Sequence, residues 1–236
     1  MNISEMLGEY ERDYALAMLG VEDFPYQKLS GKTIVVDGES EYMKFTVCMS
    51  LLALNDKEKL SIKVLMLGNG NELSEKLAER NDFSLCSYEQ AAATEYNFFI
   101  STGICGLELN GTSAEYCRIT NNFARAISTA KSCLERCILL SDYRVYGELE
   151  RGLVISENEA GFVPFSNNGD MSQTIAVSIE TYFSAYAKQF NLPTIILRSG
   201  ILLGAKAELP KNFTDELFSA VAEGCLLYTS DAADEL

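Results

Sequence analysis

Between residues 33 and 197 the chain alternates short apolar runs with helix-length segments, and few architectures accept that order. The runs are Thr33-Ile34-Val35-Val36, Ile62–Leu67, Phe83–Cys86, Phe98–Ile100, Cys137–Leu140 and Thr194–Leu197. They are continuously apolar, the pattern of strands covered on both faces. Helical spacing lies between most of them, at about 43–55, 72–80, 114–133 and 172–190. Strands separated by helices form βαβ units, so the sequence predicts an α/β, Rossmann-like, doubly wound parallel sheet with helices on both faces. In such sheets ligands bind at the carboxyl ends of the strands.

Before the first strand, Ile3, Met6, Leu7, Tyr10, Tyr14, Ala17 and Met18 fall at helical spacing and predict a helix ending near Gly20. Residues 1–30 are thus expected to be an N-terminal helical extension, joined through a connector holding Pro25 and Gly31, and 31–224 the main domain. At the other end, Cys225 to Glu235 reads as an in-frame translation of a transposon sequencing adapter. The natural part of this sequence is expected to end near Gly224, with the rest of the gene lost and 225–236 a non-native tail.

Composition excludes several functions. The net charge is −15, and −12 without the tail's three acids, so nothing here replaces phosphate counterions and nucleic acid is not expected as a partner. No apolar run is long enough for a membrane span and the polar, acidic N-terminus is not a signal peptide, so a cytoplasmic protein is expected. The seven cysteines form no CxxC pair and the chain has no histidine. A metal site is therefore not expected, nor is Ser-His-Asp or Cys-His catalysis. Cys133 and Cys137 are expected at a helix end and on the following strand. Ser30-Gly31-Lys32-Thr33 looks like the end of a P-loop, but Tyr26 stands where that motif needs glycine, and the segment precedes a strand instead of following one.

Three stretches carry a resemblance. GKTIVVDGESEYMKF (31–45) is similar to a first strand and glycine-rich turn, GKTxLVTGAxGxxGxxL. CILLSDYRVYG (137–147) is similar to a strand followed by SSxxVYG. ETYFSAYAKQFNLPTIILRSGILLG (180–204) is similar to AExxxxAYAxxxxLPxxILRPxxxYG. In order and at these separations they resemble the NAD-dependent epimerase/dehydratase family, the extended short-chain dehydrogenases that act on nucleotide sugars. The resemblance implies an NAD(P)-binding crevice, a substrate domain lying mostly beyond residue 224, and a dimer, homo- or hetero-, formed through the helices near 114–133 and 172–190.

It also implies where the chemistry should sit, and those positions are changed. Of the three glycines of the turn only Gly38 remains, preceded by Asp37; Glu41 and Lys44 hold the other two. A carboxylate about 4 Å from a phosphate repels it by about 4 kcal/mol at an effective dielectric near 20, so ordinary NAD binding is disfavoured and no cofactor is expected. Lys44 offsets part of that repulsion but is too bulky for the helix–strand contact that glycine permits. The ribose-binding position falls near Asn69, and Ser101-Thr102-Gly103 line the crevice after another strand. The family's catalytic Ser/Thr, Tyr and Lys fall on Asp142, Ser172 and Ala176. Serine's pKa is far too high for the tyrosine's proton transfer, and alanine offers nothing. Asp142 and Tyr143, at a strand's carboxyl end, are the substitutes from which activity would have to come, with Arg144 beside them.

The scaffold positions stay: Gly38, Val145-Tyr146-Gly147, Glu180, AYAKQF and Leu197-Arg198, though Ser199 replaces the usual proline. Loss confined to the site points to a non-catalytic homologue, a pseudoenzyme acting as partner or regulatory subunit. Two other readings stand beside it: an NAD(P)-dependent nucleotide-sugar epimerase or dehydratase with an atypical site, and a sensor that keeps the crevice for another nucleotide or sugar.

Overall fold

The computed structural model describes residues 25–68, 72–147, 156–157 and 171–200. The expected helix over 3–19, Asn69 and the tail 225–236 lie outside the described residues. Six strands, β1 (Thr33–Asp37), β2 (Lys63–Leu67), β3 (Phe83–Cys86), β4 (Tyr96–Ser101), β5 (Cys133–Asp142) and β6 (Thr194–Ser199), form one sheet. Their order is β3-β2-β1-β4-β5-β6 and every pairing is parallel. The helices are α1 (Glu41–Glu58), α2 (Glu72–Leu77), α3 (Tyr88–Ala92), α4 (Ser113–Ser128) and α5 (Met171–Phe190). The doubly wound Rossmann-like architecture predicted from the alternation is the one observed.

Strand alternation divides the core in two. Ile34, Val36, Val64 and Met66 point to one face, where Cys48, Met49 and Leu52 of α1 cover them. Val35, Phe99, Cys137 and Leu139 point to the other and meet Ile119, Phe123 and Ile127 of α4 with Ile175, Ile179 and Phe183 of α5. Each buried Leu, Ile or Phe contributes about 1.5–3 kcal/mol, so this layering holds the strand ends in place. Ser40 caps α1 by accepting from the Met43 N–H at 3.3 Å.

Two boundaries differ most from expectation. The helix expected over 114–133 stops at Ser128, and a single 3-10 turn, Thr129–Ser132, leads into β5. Cys133 is therefore not at a helix end: it opens β5, paired with Tyr96, so both Cys133 and Cys137 lie on that strand. The apolar pattern hid this because Cys133 is followed by Leu134-Glu135-Arg136 and β5 carries one extra residue between the Tyr96–Cys133 and Phe98–Arg136 pairings, a bulge. Glu135 anchors this stretch, accepting from Lys32 Nζ at 2.5 Å and Asn97 Nδ2 at 2.7 Å. The five-residue α3, opened by a capping box of Ser87 and Gln90, has too short a period to read from sequence.

Candidate functional site

The chain runs outward from β1 to β3 and then returns to place β4 on the other side of β1. A crevice opens at the carboxyl ends of the strands at such a reversal, because the loops on either side diverge. The loop Gly38-Glu39-Ser40 follows β1 here, and Thr102-Gly103 follows β4. Backbone hydrogen bonds clip the two together: Thr102 N–H donates to Asp37 O at 2.8 Å and Glu39 N–H to Gly103 O at 3.0 Å. Gly38 has φ +154°, and a Cβ placed on it would lie 1.8 Å from Thr102 Oγ1. Only glycine fits between these loops.

On the β1–β2–β3 side lies a cavity of about 550 Å³. Its wall carries four acids, Asp37, Glu39, Glu41 and Glu89, and three bases, Lys44, Arg118 and Arg125. Most of the acids have a cation. Glu41 Oε1 is 2.6 Å from Lys44 Nζ, Glu89 is 3.6 Å from Arg125, and Glu39 accepts from Arg118 and, at 2.9 Å, from Asn122 Nδ2. Arg125 also lies over the ring of Tyr88, 4.5 Å from its centroid. The repulsion expected from an isolated Glu41 is thus offset by a neighbouring ammonium. Asp37 is the exception. Burial pushes its carboxyl up to about 7, although Lys44 and a hydrogen bond from Ser101 Oγ at 3.2 Å favour the charged form. Burial likewise pushes the Tyr88 phenol up to about 12.

The residues singled out from sequence fall into two groups. Gly38, Glu41, Lys44, Ser101 and Thr102 gather at the crevice. Ser101 and Thr102 are fully buried, and Thr102 Oγ1 has no hydrogen-bond partner among the described residues. The second group lies around the end of β5 and on α5. Asp142 closes β5, is 4% exposed, and is clamped by Arg144. The guanidinium donates from Nε to Oδ1 at 2.7 Å and from Nη2 to Oδ2 at 2.8 Å, and the Arg144 N–H adds a third bond at 2.9 Å. Arg144 Nη2 also donates to Ile104 O at 3.1 Å, tying the β4 and β5 loops together. Tyr143 starts the 3-10 turn Tyr143–Tyr146. Ser172 and Ala176 sit on α5, buried, with Ala176 2% exposed inside the core. Gln173 packs against Gly147, so that a Cβ there would meet its amide at 2.4 Å.

Sequence reasoning overlooked Glu39, Tyr88, Arg118, Asn122 and Arg125. The signal for three of them was present: positions 118, 122 and 125 share one face of α4 by helical spacing. Nothing local in the sequence said that this face looks across at the loop after β1. Five of the cysteines are buried and free, Cys117 is exposed, and Cys105 Sγ lies 3.0 Å from Ser199 Oγ. Among the described residues no cluster of three metal-capable side chains forms, and no helix is long and apolar enough to cross a membrane.

No family model matches the sequence, and no curated protein matches it. Solved structures do share its fold. The UDP-glucuronic acid 4-epimerase of Bacillus cereus, in complex with NAD, superposes with a TM-score of 0.58 at 16% identity, over 83% of this chain and 64% of that one. WbmH of Bordetella bronchiseptica, in complex with NAD+, gives 0.55 at 12% identity, over 82% and 63%. The dTDP-glucose 4,6-dehydratase of Bacillus anthracis, in complex with NAD, gives 0.52 at 13% identity, over 82% and 62%. At these identities the likeness shows a shared fold. The chain spans less than two thirds of the length of these proteins.

Proposed function

We propose that this chain is a member of the NAD-dependent epimerase/dehydratase group that has lost its chemistry and acts as a partner or regulatory subunit. The observation that carries the reading is the state of the three positions where acid–base groups are expected. Asp142 commits both carboxylate oxygens to Arg144, and a base held in a bidentate ion pair is poorly placed to take a substrate proton. Ser172 and Ala176 are buried and supply no group that titrates near neutral pH. Because the lysine position of the α5 motif is Ala176, that motif offers Tyr143 no ammonium to assist it.

Association, in this reading, runs through α4 and α5. Tyr182 and Phe190 of α5 are 43% and 40% exposed, and Tyr182 stands edge-on to Phe123 of α4 at 6.4 Å between centroids. Exposed aromatics on α5, next to α4, suit a helix-to-helix contact. The test has two arms. Incubation with UDP-glucuronic acid or dTDP-glucose and NAD, followed by chromatography, is expected to show no conversion; turnover lost in Asp142→Ala or Tyr143→Phe would overturn the reading. Sedimentation is expected to show a dimer, and a strictly monomeric protein that captures no relative would remove the partner role. We place it in the cytoplasm.

A second reading, a retained nucleotide site, is favoured by the cavity itself. Its volume and its place at the carboxyl ends of β1, β2 and β3 suit the adenosine half of a dinucleotide. The residues that would hold such a group are Gly38, Lys44, Tyr88 and Arg125; when bound, a nicotinamide dinucleotide supplies a hydride acceptor or donor. The fit to unmodified NAD is incomplete, because Glu41 faces the turn and a cation, not a carboxylate, reaches the end of β2.

A further inference from the structure

Lys44 stands where the resemblance places the last glycine of the phosphate-binding turn, and its side chain reaches a place that a glycine never does. It runs beneath the crevice to the end of β2, where a Cβ placed on Gly68 would lie 3.6 Å from Nζ. The residue is buried, 4% exposed. An ammonium has three N–H donors. Among the described residues only Glu41 forms a hydrogen bond or ion pair with this one, while Asp37 is near enough to feel its charge. A buried cation with a single partner keeps unfilled donors, which is costly unless something else supplies acceptors.

Glu41 differs in one respect that matters. Half its side chain is exposed, on the first turn of α1, while that of Lys44 is 5% exposed. An arriving anion can therefore take its place on the ammonium and leave the displaced carboxylate in water. Glu41 sits as an internal stand-in for an anionic group.

The position identifies what that group belongs to. In a sheet of this order, the end of β2 meets the ribose of an adenine nucleotide: an acid there accepts from the 2′-hydroxyl, and a base accommodates a phosphate on it. Here the reach comes from α1, and its charge is positive. On the opposite wall the guanidinium of Arg125 covers Tyr88, a flat surface of the kind on which bases stack. We propose that the crevice is a site for an adenine nucleotide carrying a phosphate on its ribose, that phosphate resting on Lys44 in the place now held by Glu41. This rests on the reading of the crevice as a nucleotide site and is independent of the partner role.

Calorimetric titration of the full chain at low salt with 2′,5′-ADP, 3′,5′-ADP and 5′-ADP tests it. One ribose-phosphorylated isomer is expected to bind at least roughly tenfold more tightly than 5′-ADP, the gain of a charge-assisted contact. Preference for the 2′ isomer identifies an NADP-type ligand, and for the 3′ isomer one of coenzyme A type. Equal binding of all three would overturn the inference and leave the nucleotide site standing; binding of none in a folded sample would overturn both. Glu41→Gln should tighten the preferred isomer by removing its competitor, and unchanged or weaker binding would also overturn the inference. Lys44→Met should erase the preference; if that variant does not fold, Glu41→Gln decides alone.

Discussion

Asp37 offers the sharpest quantitative test of how the crevice is built. It ends β1, is buried, and its carboxyl is pushed up to about 7 from the ordinary value of 3.8, burial being the main cause. Because the folded value lies above the unfolded one, ionisation is easier in the unfolded chain. The group's contribution to stability is therefore full below about pH 4 and falls as pH rises to about 7; beyond that the penalty is constant. A shift of this size corresponds to about 4 kcal/mol. Part is already lost at pH 5.5, so about 2 kcal/mol separates pH 5.5 from pH 8.5. Asp37→Asn removes the titration while keeping an oxygen to accept from Ser101 Oγ. Urea unfolding of both proteins across that range should show the Asp37→Asn variant gaining about 2 kcal/mol over the parent as pH rises. A difference that is flat with pH, or that favours the parent at pH 8.5, would refute the assignment of a carboxylate held partly protonated beside Lys44.

Gly38→Ala should cost about 2–5 kcal/mol, from the 1.8 Å approach to Thr102 Oγ1 and the φ of +154°. The midpoint of denaturant unfolding should fall with its slope unchanged, and a variant as stable as the parent would show that the β1 and β4 loops are not clipped as described. Introducing the tyrosine and lysine of the resemblance with Ser172→Tyr and Ala176→Lys should give no turnover of nucleotide sugars and should destabilise by about 3–5 kcal/mol, because Ala176 lies in the core. A stable, active double variant would show that the pocket survives with only two residues missing.

The fold could be read because its determinants are local and repeated. Continuous apolar runs such as Thr33–Val36 and Thr194–Leu197 mark strands covered on both faces, and the spacing of Ile175, Ile179 and Phe183 fixes the buried side of α5. Errors came where a local pattern was broken. The bulge near Cys133 interrupts the strand period, so the apolar pattern starts β5 at Cys137, four residues after its true start. The site was only half readable. A motif aligned by position says that Glu41 and Lys44 replace glycines, but the pairing of one with the other, and the reach of Lys44 to Gly68, depend on side-chain paths that no spacing encodes. Arg118 and Arg125 are more distant still, because they enter the cavity only through the packing of α4 beside β1 and β4.

The substitutions at the two halves of the site differ in physical character, and that difference bears on what was retained. On α5, small side chains that the core absorbs stand where the resemblance has polar catalytic groups: Ala176 belongs to the same apolar cluster as Ile179 and Phe123. A buried lysine there would need a partner; an alanine needs none, so alanine is the more stable occupant. At the crevice the reverse has happened. Where the motif of the resemblance has two glycines stand a half-exposed Glu41 and a buried Lys44, with the buried carboxyl of Asp37 beside them. Stability alone gives no reason to bury an ammonium in the wall of a cavity with one hydrogen-bond partner among the described residues. The α5 half is what the proposed release from chemistry would leave. The crevice half is more costly than an empty turn, and a ligand that completes the shell of Lys44 is the simplest physical reason for that arrangement.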